Sequence, residues 1–515
     1  MQIQIDGAVA GIQLVQFKPL FGANAAQSWI QFVERKISMS NEELHQWSAY
    51  ETAQRVNAGS ISALTITQHM LARLERLNPS LNAFAFWDSA MPLEAAAQVD
   101  ARLAAGEYLP MAGVCFTVKD NLWLQDAPCT FGSLLFEDFV APTDSWCVAR
   151  LRSLGAIPLG VTNCSEFACM GITTTLLHGT TVNPWNTDLT PGGSSGGAVA
   201  ALAAGIGHIA LATDAGGSTR RPAAHTGLVG MKPTLGRIPN PEGFDDPNHL
   251  LSVIGPLTRN VHDSAWVLDL LSAWEPADPL SCPSFAHSNA QAVLQDDVKS
   301  MRLAWSPTLG CGLPIDADVL SAMQAAVNAL RAAGWNIEDA DPVWPEGARE
   351  YPLIGLQQAG LAQRFGTQWQ EDPSRIMPNL GEQIALGQGI AGSRITELLK
   401  LREHFHASFT QFFRQYDALL CPTAPVEAWP HALMGPATIG GQPAGPRGHA
   451  AFTPIFNYGG VPAISVPCGF GRQGLPVGLQ IACARFEDAR VLQLAWQAEK
   501  TWRLDMRSPL MRVDA

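Results

Sequence analysis

Leu64, Leu71, Leu74 and Leu77 recur at helical spacing behind Ser62, a good N-cap, which predicts a helix from Ser62 to a stop at Asn78-Pro79. Residues 113–118 (GVCFTV) read instead as a short buried strand that delivers Lys119 and Asp120 at its C-terminal end. Across 148–157 a helical pattern gives way to a strand-like one, with Gly155 at the break. Residues 198–212 form an apolar run of small residues interrupted by His208, which predicts a buried helix and then a short strand rather than a membrane span. The stretch 301–337 reads strand (RLAW), helix from about Asp316 to Ala333, Gly334, then strand, a βαβ unit. Near the end, 463–466 and 477–481 are strand-like runs joined by a Gly/Pro turn. Strands alternate with helices throughout, so the fold class expected is α/β, a central sheet covered by helices on both faces.

Three segments depart from this pattern. Residues 1–40 read as an N-terminal extension, because Ser40 and Glu43 stand in capping-box spacing before Leu44 and Trp47, like a second beginning. Residues 275–298 read as an exposed connection. Residues 422–454 carry too many Gly and Pro residues for regular structure and exceed an ordinary loop, a length that in compact enzymes marks functional or disordered segments.

Composition narrows the class. Of the 515 residues 47% are hydrophobic and 15% charged, a globular rather than disordered balance. The 46 acidic against 33 basic residues give a formal charge of −13, which supplies no positive field for nucleic acid or an anionic membrane. The N-terminus lacks a basic region before its apolar residues, and the ten cysteines contain no CxxC pair. Reduced, mostly buried thiols in a cytoplasmic protein are therefore expected.

Candidate chemistry concentrates between residues 183 and 237, where two clusters, PGGSSGG and DAGGSTR, flank the small-residue helix. Glycines beside a serine let backbone approach a ligand and free N–H groups for an anion. Flexible linkers would be polar outside the clusters, yet these enclose an apolar segment, and the second runs into Arg220, Arg221 and Pro222. Residues 192–196 fit GxSxG, but a polar loop precedes them where a nucleophile elbow needs a buried strand. Residues 469–474 fit GxGxxG, but a strand follows where a dinucleotide site needs a helix. No Walker pattern, HExxH or histidine ligand spacing occurs, so no cofactor and no metal is implied.

The motifs GVCFTVKDN (113–121), PGGSSGG (191–197) and DAGGSTR (214–220), with 24 residues from Ser194 to Ser218, resemble those of the amidase signature family. GVTNCSEFACMG with Asn163, Glu166 and Phe167, NPWN at 183–186, GMKP at 230–233, DALLCP at 417–422 and VPAISVPCGFGRQGLPVGLQ at 461–480 extend the likeness over roughly residues 45–500. The resemblance implies a single large fold on a mixed sheet, with residues 41–510 as the catalytic domain. It implies Ser218 as nucleophile, Ser194 after a cis peptide as bridging serine, and Lys119 as base. It also implies an oxyanion hole from the backbone of Ala215, Gly216, Gly217 and Ser218. A serine hydroxyl does need an adjacent base, and a desolvated lysine can be neutral enough to serve. Ser195 either hydrogen-bonds behind these groups or faces solvent, and Asp214 and Arg220 are expected to brace the turn as an ion pair. Cys115 and Cys164 lie near the motifs, but buried thiols among apolar residues are inert.

The family holds glutaminase subunits of tRNA-dependent amidotransferases and stand-alone hydrolases of amides, some of which also cut esters and carbamates. The former carry a tyrosine-rich stretch, where residues 380–400 (LGEQIALGQGIAGSRITELLK) contain no tyrosine. A stand-alone hydrolase of small amides is therefore expected, a monomer or homo-oligomer with no nucleic-acid or membrane partner. The alternatives are a catalytically inactive binding module and the glutaminase subunit. Trp429, Met434 and Ile439 are expected to wall the substrate with apolar surface, with Phe452 and Phe456 beside them and Arg447 the one charged anchor there.

Overall fold

The computed structural model describes residues 43–513 apart from 284–293, 295, 349–350 and 352. The unit from His45 to Ala515 contains the whole fold described below. The expected extension 1–40 lies outside the described residues, as do Ser40 and part of the 275–298 connection. Among the described residues the first α-helix is Ala49–Asn57, and Ser48 caps it by accepting from Glu51 N. That cap stands eight positions beyond the Ser40–Glu43 pair that the sequence offered.

Eleven strands form one sheet. In chain order they are β1 (Phe84–Phe86), β2 (Cys115–Lys119), β3 (Ile157–Thr162), β4 (Ile209–Asp214), β5 (Val229–Lys232) and β6 (Val253–Thr258), then β7 (Arg302–Trp305), β8 (Asn336–Asp339), β9 (Ala418–Pro422), β10 (Ala463–Phe470) and β11 (Pro476–Ala482). Across the sheet they lie β1-β3-β2-β4-β6-β5-β10-β11-β9-β7-β8. Pairs β3–β2 and β2–β4 are parallel, as are β9–β7 and β7–β8. The others are antiparallel, so the sheet is mixed. The first six strands meet the last five at one seam, where Ala463, Ile464 and Ser465 pair with Lys232, Met231 and Gly230.

Side chains alternate along each strand, and in the central strands both sets are buried, which covers both faces. In β4, Ile209 and Leu211 join the largest apolar cluster while Ala210 and Ala212 join another beside the helix Gly196–Ala203. In β9, Ala418 and Leu420 take one side, Leu419 and Cys421 the other. The α/β expectation with helices on both faces holds.

Two local expectations need correction. The helix after Ser62 does begin at Ala63, with Ser62 accepting from Thr65 N, but it passes through Pro79 and ends at Leu81 with Asn82 left-handed. Pro79 and Glu75, the residue four before it, are both exposed, so the missing hydrogen bond falls on the solvent face of the last turn. Residues 422–454 contain some regular structure: Thr438–Ile439 pairs with Gln442–Pro443, and Gly448–Ala450 is a 3-10 turn.

Candidate active site

Parallel pairing of β2 with β4, in the register Val118 to Leu211, brings their C-terminal ends side by side. Lys119 therefore leaves the sheet next to Thr213 and Asp214. Its Nζ donates to Ser194 Oγ at 2.7 Å and to Thr213 Oγ1 at 2.9 Å, and Asn121 Nδ2 donates to the same Thr213 hydroxyl at 2.8 Å. Lys119 and Ser194 are fully buried and Ser218 is 6% exposed. Burial lowers the Lys119 pKa to about 8, against partial opposition from the carboxylates of Asp246 and Asp214. An amine with that pKa is substantially neutral at mildly alkaline pH and can accept a proton.

Ser194 sits on the turn before the helix Gly196–Ala203, and the peptide joining it to Gly193 is cis. Ser165 N donates to Ser194 O at 3.1 Å. A Cβ on Gly193 would lie 2.7 Å from Ile172 N, so only glycine lets this turn press against residues 171–172. Ser195 is buried and reaches Thr213 O only at 3.5 Å, so it does not face solvent. Ser218 lies on the loop after β4. Its hydroxyl makes no hydrogen bond to protein among the described residues, so the structure joins Lys119 to Ser194 but draws no bond from Ser194 to Ser218.

The loop itself is held by Asp214. Its carboxylate accepts from Gly217 N at 2.7 Å and pairs with Arg220 Nη2 and Nε, both at 2.9 Å. Burial alone would raise the Asp214 pKa, but the Arg220 charge and hydrogen bonds, with Lys232 and Asn457, hold it below the ordinary carboxylate range. Gly217 N–H is thereby engaged, which leaves Ala215, Gly216 and Ser218 as the remaining N–H groups of the four considered for an oxyanion. Gly217 has φ +111°, a left-handed value, and its missing side chain makes room for Thr453. Thr453 Oγ1 donates to Gly216 O at 2.8 Å.

Arg220 is satisfied from the far end of the chain. Its Nη1 donates to Gln480 Oε1 at 2.6 Å and Thr453 O at 3.0 Å, and its Nη2 to Asn457 Oδ1 at 2.6 Å. Asn457 Nδ2 in turn donates to Asp214 O at 2.8 Å. Sequence reading passed over Thr213, Thr453, Asn457 and Gln480. Thr213 precedes the DAGGSTR motif and Gln480 ends the 461–480 motif, so both could have been found there, whereas Thr453 and Asn457 carry no local signal. Arg220→Ala is expected to destabilise the protein by about 3–5 kcal/mol, since it strands a buried carboxylate. A lowered denaturant midpoint measures this, and the double variant Asp214→Ala/Arg220→Ala should lose less than the two single losses added.

Other sequence candidates fall outside this cluster. Asp120 is buried and accepts from Thr130 N at 2.6 Å and Gly132 N at 2.9 Å, so it shapes the next loop. Burial pushes the thiols of Cys115, to about 12, and Cys164 upward, which suits neither as nucleophile. All ten cysteines are unpaired. Trp429 and Ile439 pack with Ile172 and Val426, and Trp429 O accepts from Thr190 N at 2.9 Å, which ties the long loop to the approach to Ser194. Met434 is 46% exposed, and Phe452 and Phe456 are core residues. Among the described residues, no helix is long and apolar enough to cross a membrane, and no cluster of ligating side chains suits a metal ion.

Known proteins share this architecture. The chain is 35% identical over 475 residues to an acylamidase of Rhodococcus erythropolis, covering 90% of this chain and 98% of that protein. It is 33% identical over 494 residues to the A chain component of the glutamyl-tRNA(Gln) amidotransferase of Moorella thermoacetica, covering 92% and 100%. Its fold matches the crystal structure of a bacterial aryl acylamidase of the amidase signature family with a TM-score of 0.85, at 25% identity, over 92% of this chain and all of that one. The Amidase family model matches residues 65–492, and with that span and these relatives the chain belongs to the amidase family, the amidase signature enzymes.

Proposed function

We propose that the protein is a stand-alone hydrolase of small amides, acting through an acyl-enzyme on Ser218, with residues 41–510 as its catalytic domain. The observation that carries this reading is a fully buried lysine amine, its pKa lowered by burial to about 8, 2.7 Å from the Ser194 hydroxyl. Neutral Lys119 accepts the Ser194 proton as Ser194 takes that of Ser218, and the Ser218 oxygen attacks the amide carbonyl. Backbone N–H groups of Ala215, Gly216 and Ser218 receive the developing oxyanion, a role in which one donor is worth about 10²–10³ in rate. The proton returns through Ser194 to the departing nitrogen, and water then releases the acid by the same route. Thr213 orients the Lys119 amine, and Asp214 with Arg220 keeps the Ser218 loop in shape.

Two observations favour a stand-alone enzyme over a glutaminase subunit. Residues 380–400 lack the tyrosine-rich stretch, and the net charge of −13 is poorly suited to lie against tRNA. A binding module has no need of a neutral buried lysine beside a serine. No cofactor enters this mechanism, and the site of action is cytoplasmic. In the isolated protein, kcat/KM for an aryl anilide is expected to exceed that for glutamine at least tenfold. Preferential glutamine hydrolysis would assign the chain to the amidotransferase class instead.

A further inference from the structure

Each of the two serine loops is braced from within, by different residues. Around Ser194, Thr173 straddles the turn: its hydroxyl donates to Gly192 O and accepts from Gly196 N, both at 3.0 Å. Thr173 is buried, and a Cβ on Gly196 would lie 2.3 Å from that hydroxyl, so only glycine admits the brace. Around Ser218, the Asp214 carboxylate holds Gly217 N and Thr453 holds Gly216 O. Neither brace fixes the spacing between the two loops. Lys119 and Ser195 reach across at Thr213, at the end of β4 below the Ser218 loop. Because no bond joins the two serine hydroxyls, their separation follows from where the backbone of each loop is held.

Arg221 touches both loops. It is 4% exposed and lies on the helix Arg220–Thr226 that follows Ser218. Its Nη2 donates to Gly193 O at 3.3 Å and its Nε to Gly217 O at 3.4 Å. These are the carbonyls immediately before the two serines, one leading into Ser194 and the other into Ser218. A Cβ on Gly217 would come 3.0 Å from Arg221 Nε, so the glycine lets the guanidinium lie against the loop. Arg220, one position earlier, directs its donors elsewhere, to Asp214, Thr453, Asn457 and Gln480. Burying a guanidinium is unfavourable unless its donors are met, and Arg221 Nη1 has no hydrogen-bond partner among the described residues. The side chain is thus placed for its two carbonyls, with a third donor left unmet.

We propose that Arg221 is a positioning residue that ties the Ser194 turn to the Ser218 loop and so sets the gap across which the proton passes between the two hydroxyls. A guanidinium suits this task because its planar fork presents Nε and Nη2 in fixed relation, whereas an ammonium is a single centre on a flexible stem. The gap matters because a misplacement of about 1 Å can slow a reaction on the order of 10²-fold. The proposal rests on the acyl-enzyme reading and adds to it a residue that acts through the two serines.

A fluorophosphonate reports the reactivity of Ser218 without needing an amide, so the test follows its labelling rate in the full chain. Arg221→Met, which keeps the bulk but has no donor, is expected to slow labelling of Ser218 about 10²-fold in the otherwise wild-type protein. In the Ser194→Ala background no relay is left to align, and the same substitution should change the rate less than about threefold, the non-additivity of residues that act as one unit. Arg221→Lys keeps the charge and disturbs the core less. It should show a smaller loss, again confined to the wild-type background, and it decides the matter should Arg221→Met not fold. Equal losses in the two backgrounds, or no loss in either, overturn the tie while leaving Ser218 as nucleophile. Absence of label on Ser218 in the wild-type chain removes the acyl-enzyme reading itself, and the tie with it.

Discussion

Lys119→Ala should lower kcat at least about 10³-fold, toward the upper end of what a positioned base supplies. The loss arises because Ser194 Oγ is left without the amine 2.7 Å away that takes its proton. Lys119→Met fills the same space without a base and should be equally inactive, which separates lost chemistry from a cavity in the core. Lys119→Arg should not rescue, since guanidinium remains protonated. The sign of the pH dependence follows from the same group. Below its pKa of about 8 the amine is an ammonium and cannot accept a proton, so kcat/KM in the wild-type protein rises with pH through that region and then levels. A rate independent of pH from 6 to 9 in the wild type, or a Lys119→Met variant retaining a tenth of the activity, would remove Lys119 from the chemistry.

Ser218→Ala should abolish turnover altogether while leaving the melting temperature within a few degrees, because one hydroxyl on a loop is a small change to packing. A fluorophosphonate should label the wild-type chain at Ser218 and fail to label this variant. Ser194→Ala should differ in kind: the nucleophile survives without its relay, so labelling persists but slows. The two serines are thus distinguishable by a mass measurement on the modified peptide. A label on Ser194, or on any of the cysteines, would reverse the assignment.

Short-range features of the chain were legible because their causes are local. GVCFTV is apolar apart from Thr117 and leads into the strand Cys115–Lys119, buried throughout, and Ser62 caps a helix whose apolar stripe follows directly. The βαβ unit at 302–339 likewise contains its own pattern and turn residues. Pro79 misled because it falls in the last turn of the helix on an exposed face, where the missing N–H costs least. Of the site, the three glycine-rich or lysine-bearing motifs stood out by composition. Arg220 and Arg221 did not: adjacent and identical in type, one is neutralised by Asp214 and the other by nothing described. The Asp214 partner was legible in the sequence, but the bonds to partners brought from 233 to 260 positions away, Thr453, Asn457 and Gln480, were not.

The seam between the first six strands and the last five has a consequence for biosynthesis. Every residue proposed for proton transfer and attack leaves the ribosome with the first group, yet Arg220 bonds to Gln480 across 260 residues. At about 5–20 residues per second, that interval lasts roughly 13–50 s. Through that time the nascent chain holds its candidate nucleophile on a loop whose arginine has not met its final partners. A chain released early carries Lys119, Ser194 and Ser218 but not the side chains that fix their geometry, so hydrolysis begins only when translation is nearly finished.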